Sequence, residues 1–274
     1  MRIQYLGTAA AEGWPGLFCN CEVCAQARKA GGKNRRTRSQ AVIDGRILMD
    51  FPADTYLHML RDGLELPSIH TVLLTHSHYD HWYPEDLACR GPVFAAGIDG
   101  MLDIYGNEAC RARYQGVMDK LGAGAASKQV RYHEIQPFVP FEAEGYGVTA
   151  LLALHDRSER CYIYIVEKEG KRLLYANDTG FFPDATWEYI RDCRFDLVSM
   201  DCTMQQFPDG ANHMGLEDNV KLRERLEAYG CADSGTRYVI THFSHNGGLL
   251  HEELEERAAA CGFTAAYDGL TVEF

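Results

Sequence analysis

The sequence predicts an α/β fold, a pseudo-duplicated sandwich of two sheets flanked by helices. Three observations predict it. Apolar strands joined by Gly-containing turns recur in both halves of the chain, many of those strands end in His or Asp, and two late segments carry apolar residues at helical spacing. Ligand-type side chains therefore emerge together at the ends of strands.

Taken in order, AVIDGRILMDF (41–51) is an apolar run, an Asp-Gly turn and a second apolar run, which predicts a hairpin. HTVLLTH (70–76) is a single buried strand. Segment 99–144 holds a helix around 108–121 followed by a strand-rich stretch. VTALLALH (148–155) is another strand, and CYIYIVEKEGKRLLYAND (161–178) repeats the hairpin plan with a longer turn. In both hairpins the second strand ends in an acidic residue, Asp50 and Asp178. FDLVSMD (195–201) and RYVITH (237–242) are strands. LEDNVKLRERLEAY (216–229) aligns Leu216, Val220, Leu226 and Tyr229 on one helical face, and LLHEELEERAAAC (249–261) aligns Leu250, Leu254, Ala258 and Cys261. A third hairpin, TAAYDGLTVEF, is expected to close the chain. There is no linker, low-complexity tract or short repeat, so residues 1–274 are read as one domain.

With 39 acidic and 27 basic residues the formal charge is -12, which disfavours nonspecific binding to nucleic acid or anionic membranes. The start, MRIQYLGTAAAEG, lacks a basic, apolar leader, and no run of about 18 apolar residues suggests a membrane span. The expected location is cytoplasmic. Of ten cysteines, seven are scattered singly and are expected to be reduced and mostly buried. Cys19, Cys21 and Cys24 alone have ligand-like spacing.

The densest chemistry is THSHYDHW, where His76, His78, Asp80 and His81 follow an apolar strand. Four potential ligands in six residues can coordinate two neighbouring metals if the turn points them the same way. HxHxDH after such a strand resembles the metallo-β-lactamase superfamily, whose αββα sandwich of two mixed sheets flanked by helices carries a binuclear site at strand ends. The resemblance covers essentially the whole chain. It implies that His76, His78 and His155 hold one metal, Asp80, His81 and His242 the other, and that Asp178 bridges them. The plainer alternatives are His155 as a core histidine at a strand end, the lesser reading given its place opposite the HxHxDH loop, and Asn-Asp-Thr-Gly (177–180) as a turn, which is compatible with ligation by Asp178.

In THFSH, His245 lies three residues after His242, so one loop can direct His242 to the binuclear site and His245 to a neighbouring one. Cys19, Cys21, Cys24 and His245 then make a closed Cys3His zinc, structural because no position remains for substrate, on an N-terminal loop spanning 17–38. An unoccupied or redox-active cysteine cluster is the alternative.

Gly7, Thr8, Ala11, Glu12 and Gly13, together with CxCxxC, HxHxDH and THxSH, resemble the PhnP group of phosphoribosyl cyclic phosphodiesterases. This implies two divalent active-site metals, Mn or Zn, one structural Zn, and a histidine proton donor before a late helix, a place held by His213. The expected function is hydrolysis of a small, cyclic phosphodiester, with Asp80 and His213 as catalytic residues and a homodimer as an admissible assembly. The alternatives on the same scaffold are an RNA-processing nuclease, a lactonase or a cofactor-biosynthesis protein, and from another class a non-catalytic metal-binding module. The chain departs from the superfamily at HWYPEDL, where a glycine is usual. Trp82 and Tyr83 there either wall the substrate or pack the loop. Arg35, Arg36 and Arg38 read as a solvated basic loop, and Arg157 and Arg160 are better placed to meet an anion.

Overall fold

The computed structural model describes residues 1–121 and 128–274. In chain order the first half contributes β1 (Arg2–Gly7), α1 (Glu22–Ala30), β2 (Gln40–Ile43), β3 (Ile47–Met49), α2 (Thr55–Asp62), β4 (Thr71–Leu73), β5 (Leu102–Gly106), α3 (Glu108–Leu121) and β6 (Val130–Glu134). The second contributes β7 (Phe141–Ala143), β8 (Tyr146–Leu152), β9 (Tyr162–Lys168), β10 (Lys171–Ala176), α4 (Asp184–Ile190), β11 (Leu197–Asp201), α5 (Leu216–Ala228), β12 (Arg237–Thr241), α6 (His251–Ala260), β13 (Thr264–Ala265) and β14 (Thr271–Glu273).

Two mixed seven-stranded sheets result, in the orders β14-β1-β2-β3-β4-β5-β6 and β13-β12-β11-β10-β9-β8-β7. Each changes from antiparallel hairpins to parallel strands along its width. The central strands are buried on both faces, which is why they read as continuous apolar runs. Leu173, Leu197 and Val239 point into the layer between the sheets, among Tyr5, Tyr164 and Tyr175, while their neighbours Leu174, Val198 and Ile240 face outward under α4, α5 and α6. The other sheet packs Val42, Leu48, Val72 and Ile104 against Cys110 and Met118 of α3. The order of layers is therefore α, β, β, α.

The helices at 108–121, 216–229 and 249–261 form close to their expected bounds. Three helices went unread. α2 buries Thr55 and His58 and exposes Tyr56, Leu57 and Leu60, so its hydrophobic pattern points outward and hides the helix. α1 lies inside the expected 17–38 loop and buries Cys24 and Ala27, which join the core under the second sheet, so that segment is not a bare loop. α4 spans only 7 residues.

The expected C-terminal hairpin does not form. β13 extends the second sheet beside β12, whereas β14 pairs antiparallel with β1 in the first. The Asp-Gly corner between them is a crossover, because the Asp268 carboxylate accepts hydrogen bonds from Thr8 Oγ1, Thr37 N and Arg61 Nη1 instead of closing a turn on its own chain. Among the described residues, no helix is long and apolar enough to cross a membrane.

Candidate metal centre

The strand ends converge on one edge of the sandwich. After β4 the chain turns through His76–His81, a turn closed by His81 N and Trp82 N donating to His78 O. His155 follows β8, Asp178 follows β10, Asp201 ends β11, and His242 follows β12. Asp50, Asp178 and His242 have φ of 62°, 57° and 63°, a left-handed backbone that costs a non-glycine residue about 1–3 kcal/mol. Each abrupt bend turns a side chain back toward the same point. Gly180 completes the Asn-Asp-Thr-Gly bend. A Cβ there would lie 2.4 Å from Ala211 O, so only glycine admits the 209–213 loop that brings His213 in.

Asp178, buried, sits at the centre. Its Oδ2 lies 3.3 Å from His76 Nε2, 3.2 Å from His81 Nε2 and 3.7 Å from His242 Nε2, and its Oδ1 lies 3.3 Å from His155 Nδ1 and 3.1 Å from His213 Nδ1. Three groups of four share it, one of them Asp178, Asp201, His213 and His242. Of the other two, His76, His78, His155 and Asp178 form one, and Asp80, His81, Asp178 and His242 the other. These are the seven residues that the resemblance implied, brought together in the division it implied.

The hydrogen bonds at the back of each ring fix which nitrogen faces inward. A carboxylate accepts only, so His81 Nδ1, 2.8 Å from Asp50 Oδ2, carries a proton, and the neutral ring has its lone pair on Nε2. His78 Nε2 likewise donates to Asp156 Oδ2 at 3.0 Å. Thr75 Oγ1 donates to Asp50 and so accepts from His76 Nδ1, and Thr203 Oγ1 donates to Asp201 and so accepts from His242 Nδ1. His155 Nδ1 faces two acceptors, Asn212 O and Asp178 Oδ1. Each of the five imidazoles thus has one nitrogen held by an outer partner, and in its neutral form it directs the lone pair of the other nitrogen inward. His81 Nε2 then faces His242 Nε2 at 3.2 Å, and His78 Nδ1 faces His155 Nε2 at 3.2 Å. His76 Nε2 is buried without a hydrogen-bond partner. Inward ring nitrogens this close together around buried carboxylates fit a site for cations, which would take up the lone pairs of the neutral rings.

The same carboxylates also attract protons, which would compete with a cation for the rings. Burial opposes charge on His81, but the carboxylates of Asp80 and Asp50 outweigh it and hold its pKa well above the usual imidazole range. Burial, with His81 beside it, pushes His76 well below that range. Burial would raise Asp178, yet His242 and His155 keep it far below an ordinary carboxyl. His213 is pushed up to about 11: burial lowers it, and hydrogen bonds to Asp178 and Asp201 more than offset that.

Cys19, Cys21, Cys24 and His245 form a second group beside this centre. Cys21 caps α1, its Sγ accepting from Cys24 N at 3.5 Å, and Cys24 Sγ accepts from Gly16 N at 3.3 Å. His245 Nδ1 lies 3.8 Å from Cys19 Sγ and 3.6 Å from Cys21 Sγ. A Cβ on Gly16 would come within 3.1 Å of His245, so glycine keeps the cage open. The backbone N–H of Cys24 draws the Cys21 thiol down to about 6, while burial pushes Cys24 up to about 12. One loop thus turns His242 into the first group and His245 into the second.

Other expectations change. Trp82 is fully buried, edge-on to Phe51 with its Nε1 donating to Cys110 O, so it packs the loop and walls no substrate. Arg36 is neither solvated nor a phosphate clamp: it is buried and donates to Thr8 Oγ1, Ala266 O and His251 Nδ1. Arg160 is engaged by Glu108 and Gln136. The residues that orient the rings, Asp50, Thr75, Asp156, Asp201 and Thr203, were not read as part of the site. Asp50 and Asp201 carried a signal, an acidic residue at a strand end like Asp178.

A profile of the beta-lactamase superfamily domain matches residues 42–243. The chain belongs to this superfamily. It is similar to a diphosphatase of the PhnP family, at 25% identity and TM-score 0.77, over 100% of this chain and 97% of that one. It is 25% identical over 309 residues to the coenzyme PQQ synthesis protein B of Methylorubrum extorquens, covering 100% of both chains. Human tRNase Z, short form, shares the fold at TM-score 0.68 and 18% identity, over 100% of this chain and 99% of that one. The chain spans about half the length of another relative, an octanoyltransferase of Porphyromonas gingivalis, at 24% identity over 98% of this chain and 51% of that protein. The chain is accordingly a metallo-β-lactamase-fold protein with a candidate metal site and hydrolases among its structural neighbours.

Proposed function

We propose that the protein is a binuclear metal-dependent phosphodiesterase acting on a small cyclic phosphodiester such as phosphoribosyl cyclic phosphate. The observation that carries this reading is the convergence of five imidazoles and Asp80 around the Asp178 carboxylate, with His213 at its edge. His76, His78 and His155 would hold one divalent metal and Asp80, His81 and His242 the other, with Asp178 between them; Mn and Zn both suit this donor set. Such a pair supplies Lewis acidity toward phosphoryl oxygen and lowers the pKa of coordinated water. Asp50, Thr75, Asp156 and Thr203 keep the rings in ligating tautomers. His213 is fixed through Nδ1 by Asp178 and Asp201, which leaves Nε2 to protonate the departing alkoxide. Cys19, Cys21, Cys24 and His245 would hold a structural zinc that clamps the N-terminal segment to the His242 loop.

The charge of -12 favours a small substrate over a polynucleotide. A second reading, a role in cofactor synthesis, is favoured by the full-length match to the PQQ synthesis protein. The deciding experiment is hydrolysis of ribose 1,2-cyclic phosphate, a 2',3'-cyclic nucleotide, bis(p-nitrophenyl) phosphate and a simple lactone by manganese- and zinc-loaded protein beside Asp80→Ala. Metal-dependent opening of a cyclic phosphate, lost in the variant, is expected. Turnover of the lactone alone, or of no substrate, overturns the phosphodiesterase reading.

A further inference from the structure

We propose that Arg157 is a specificity-determining residue that grips an anionic oxygen of the substrate beside the metal centre, so that the site selects anionic diesters over neutral esters. The proposal rests on the phosphodiesterase reading. A cleft of about 300 Å³ opens on the centre and is lined by His78, His155, Asp156, Arg157 and Asn212. It gives onto the two imidazoles, His78 and His155, whose inward nitrogens face each other. His213, whose ring centre lies 5.1 Å from that of His155, directly follows Asn212 in the chain. A group held in this cleft would therefore lie between the ligands of one metal and the proton donor.

The neighbouring arginines are engaged. Arg160 is bound to Glu108 at 2.7 Å, Arg113 to Ser77 O, and Arg38 to Ala11 O and Asp54. Arg157 is exposed and makes no hydrogen bond or ion pair among the described residues. Carboxylates close to it in sequence do not pair with it, for a structural reason. Asp156 Oδ2 accepts from His78 Nε2 and its Oδ1 from Ser158 N, while Glu159 accepts from Ser77 and from Asn107 Nδ2 at 2.6 Å. The 155–160 segment thus turns its acids inward to hold the metal loop and leaves one guanidinium free in a chain of charge -12. The Asn212 side-chain amide, also without a partner among the described residues, supplies a second donor from the other lip. A guanidinium presents a planar fork of N–H groups that matches two phosphoryl oxygens, and it stays charged at every working pH.

The test compares wild type, Arg157→Ala and Arg157→Lys, all manganese-loaded, on bis(p-nitrophenyl) phosphate and the neutral ester p-nitrophenyl acetate, together with calorimetric titration of inorganic phosphate. For Arg157→Ala, kcat/KM on the diester should fall about 10- to 100-fold, chiefly through KM, with phosphate affinity falling in parallel. Arg157→Lys should recover part of both, and any turnover of the acetate should be unchanged. Diester kinetics and phosphate affinity within twofold of wild type, or an equal loss on the acetate, overturns the assignment. If wild type hydrolyses no phosphodiester, the reading of the reaction fails, and phosphate affinity still decides Arg157: no difference between wild type and Arg157→Ala overturns its anion role.

Discussion

Replacing Asp50 by Asn tests the tautomer argument at its most buried point. Asp50 is fully buried, accepts from His81 Nδ1 at 2.8 Å and also accepts from Thr75 N at 2.8 Å. Asparagine has nearly the same shape, and its oxygen can keep the Thr75 bond. Its amide nitrogen then faces His81 Nδ1, donor against donor. The ring escapes only by moving its proton to Nε2, the nitrogen directed at Asp178 and His242, which removes the lone pair that a metal needs. Loss of an outer partner of this kind weakens metal binding about 10- to 100-fold, equivalent to about 1.4–2.7 kcal/mol. The assay is competition of folded protein against a fluorescent chelator, with metal content checked by mass spectrometry. Asp156→Asn, acting on His78 from a site whose side chain is 30% exposed, should give a smaller loss, because solvent can replace the missing acceptor. Affinity within threefold of wild type in a cooperatively folded Asp50→Asn would refute the reasoning.

Two further outcomes follow from the structure. Cys24→Ser should remove one zinc per chain and at least about 3 kcal/mol of stability at zinc 100-fold above its dissociation constant, while kcat of the surviving folded protein stays within twofold; unchanged zinc content by mass spectrometry would refute the four-ligand cage. Arg36 Nη2 donates to His251 Nδ1 at 2.9 Å, so that imidazole is neutral, and burial with the charge of Arg36 lowers its pKa to about 4. The unfolded value is near 6.5, so this contribution to stability is complete above about pH 6.5 and is lost as pH falls toward 4, by up to about 1.4 kcal/mol per pH unit. The stability lost between pH 7.5 and 5, measured by denaturant unfolding, should be about 2 kcal/mol greater for wild type than for His251→Gln, and equal losses would count against it.

The ligands were legible and their supports were not, for a physical reason. Four potential ligands in six residues is a composition that an ordinary surface turn rarely has, so His76–His81 announced itself. Asp50 and Asp201 do their work at the ends of apolar strands, where a single acidic residue is common and its partner lies far along the chain. Thr75 and Thr203 matter for where one hydroxyl proton points, which no residue type encodes. Arg36 misled through its neighbours: in KNRRTRS it reads as one of several solvated cations, whereas the fold buries it against Phe243 and the Ala266 carbonyl. α2 and the Asp268 corner share that lesson, since a residue type suited to one local structure is captured by a distant partner.

The connection between the two clusters is itself a structural argument. His242 sits at φ 63°, a conformation that would relax if the chain on either side could rotate. It cannot do so freely. Phe243 N donates to Thr8 O and Phe243 O accepts from Ala10 N, Ser244 N donates to Thr203 O, and Ser244 Oγ donates to Glu12 at 2.5 Å. His245 is then held against the cysteines three residues on. Relief of the bend at His242 would break the bridge to residues 8–12 or draw His245 out of its cage. The N-terminal segment, far from the centre in sequence, therefore helps to hold one of its ligating rings in place.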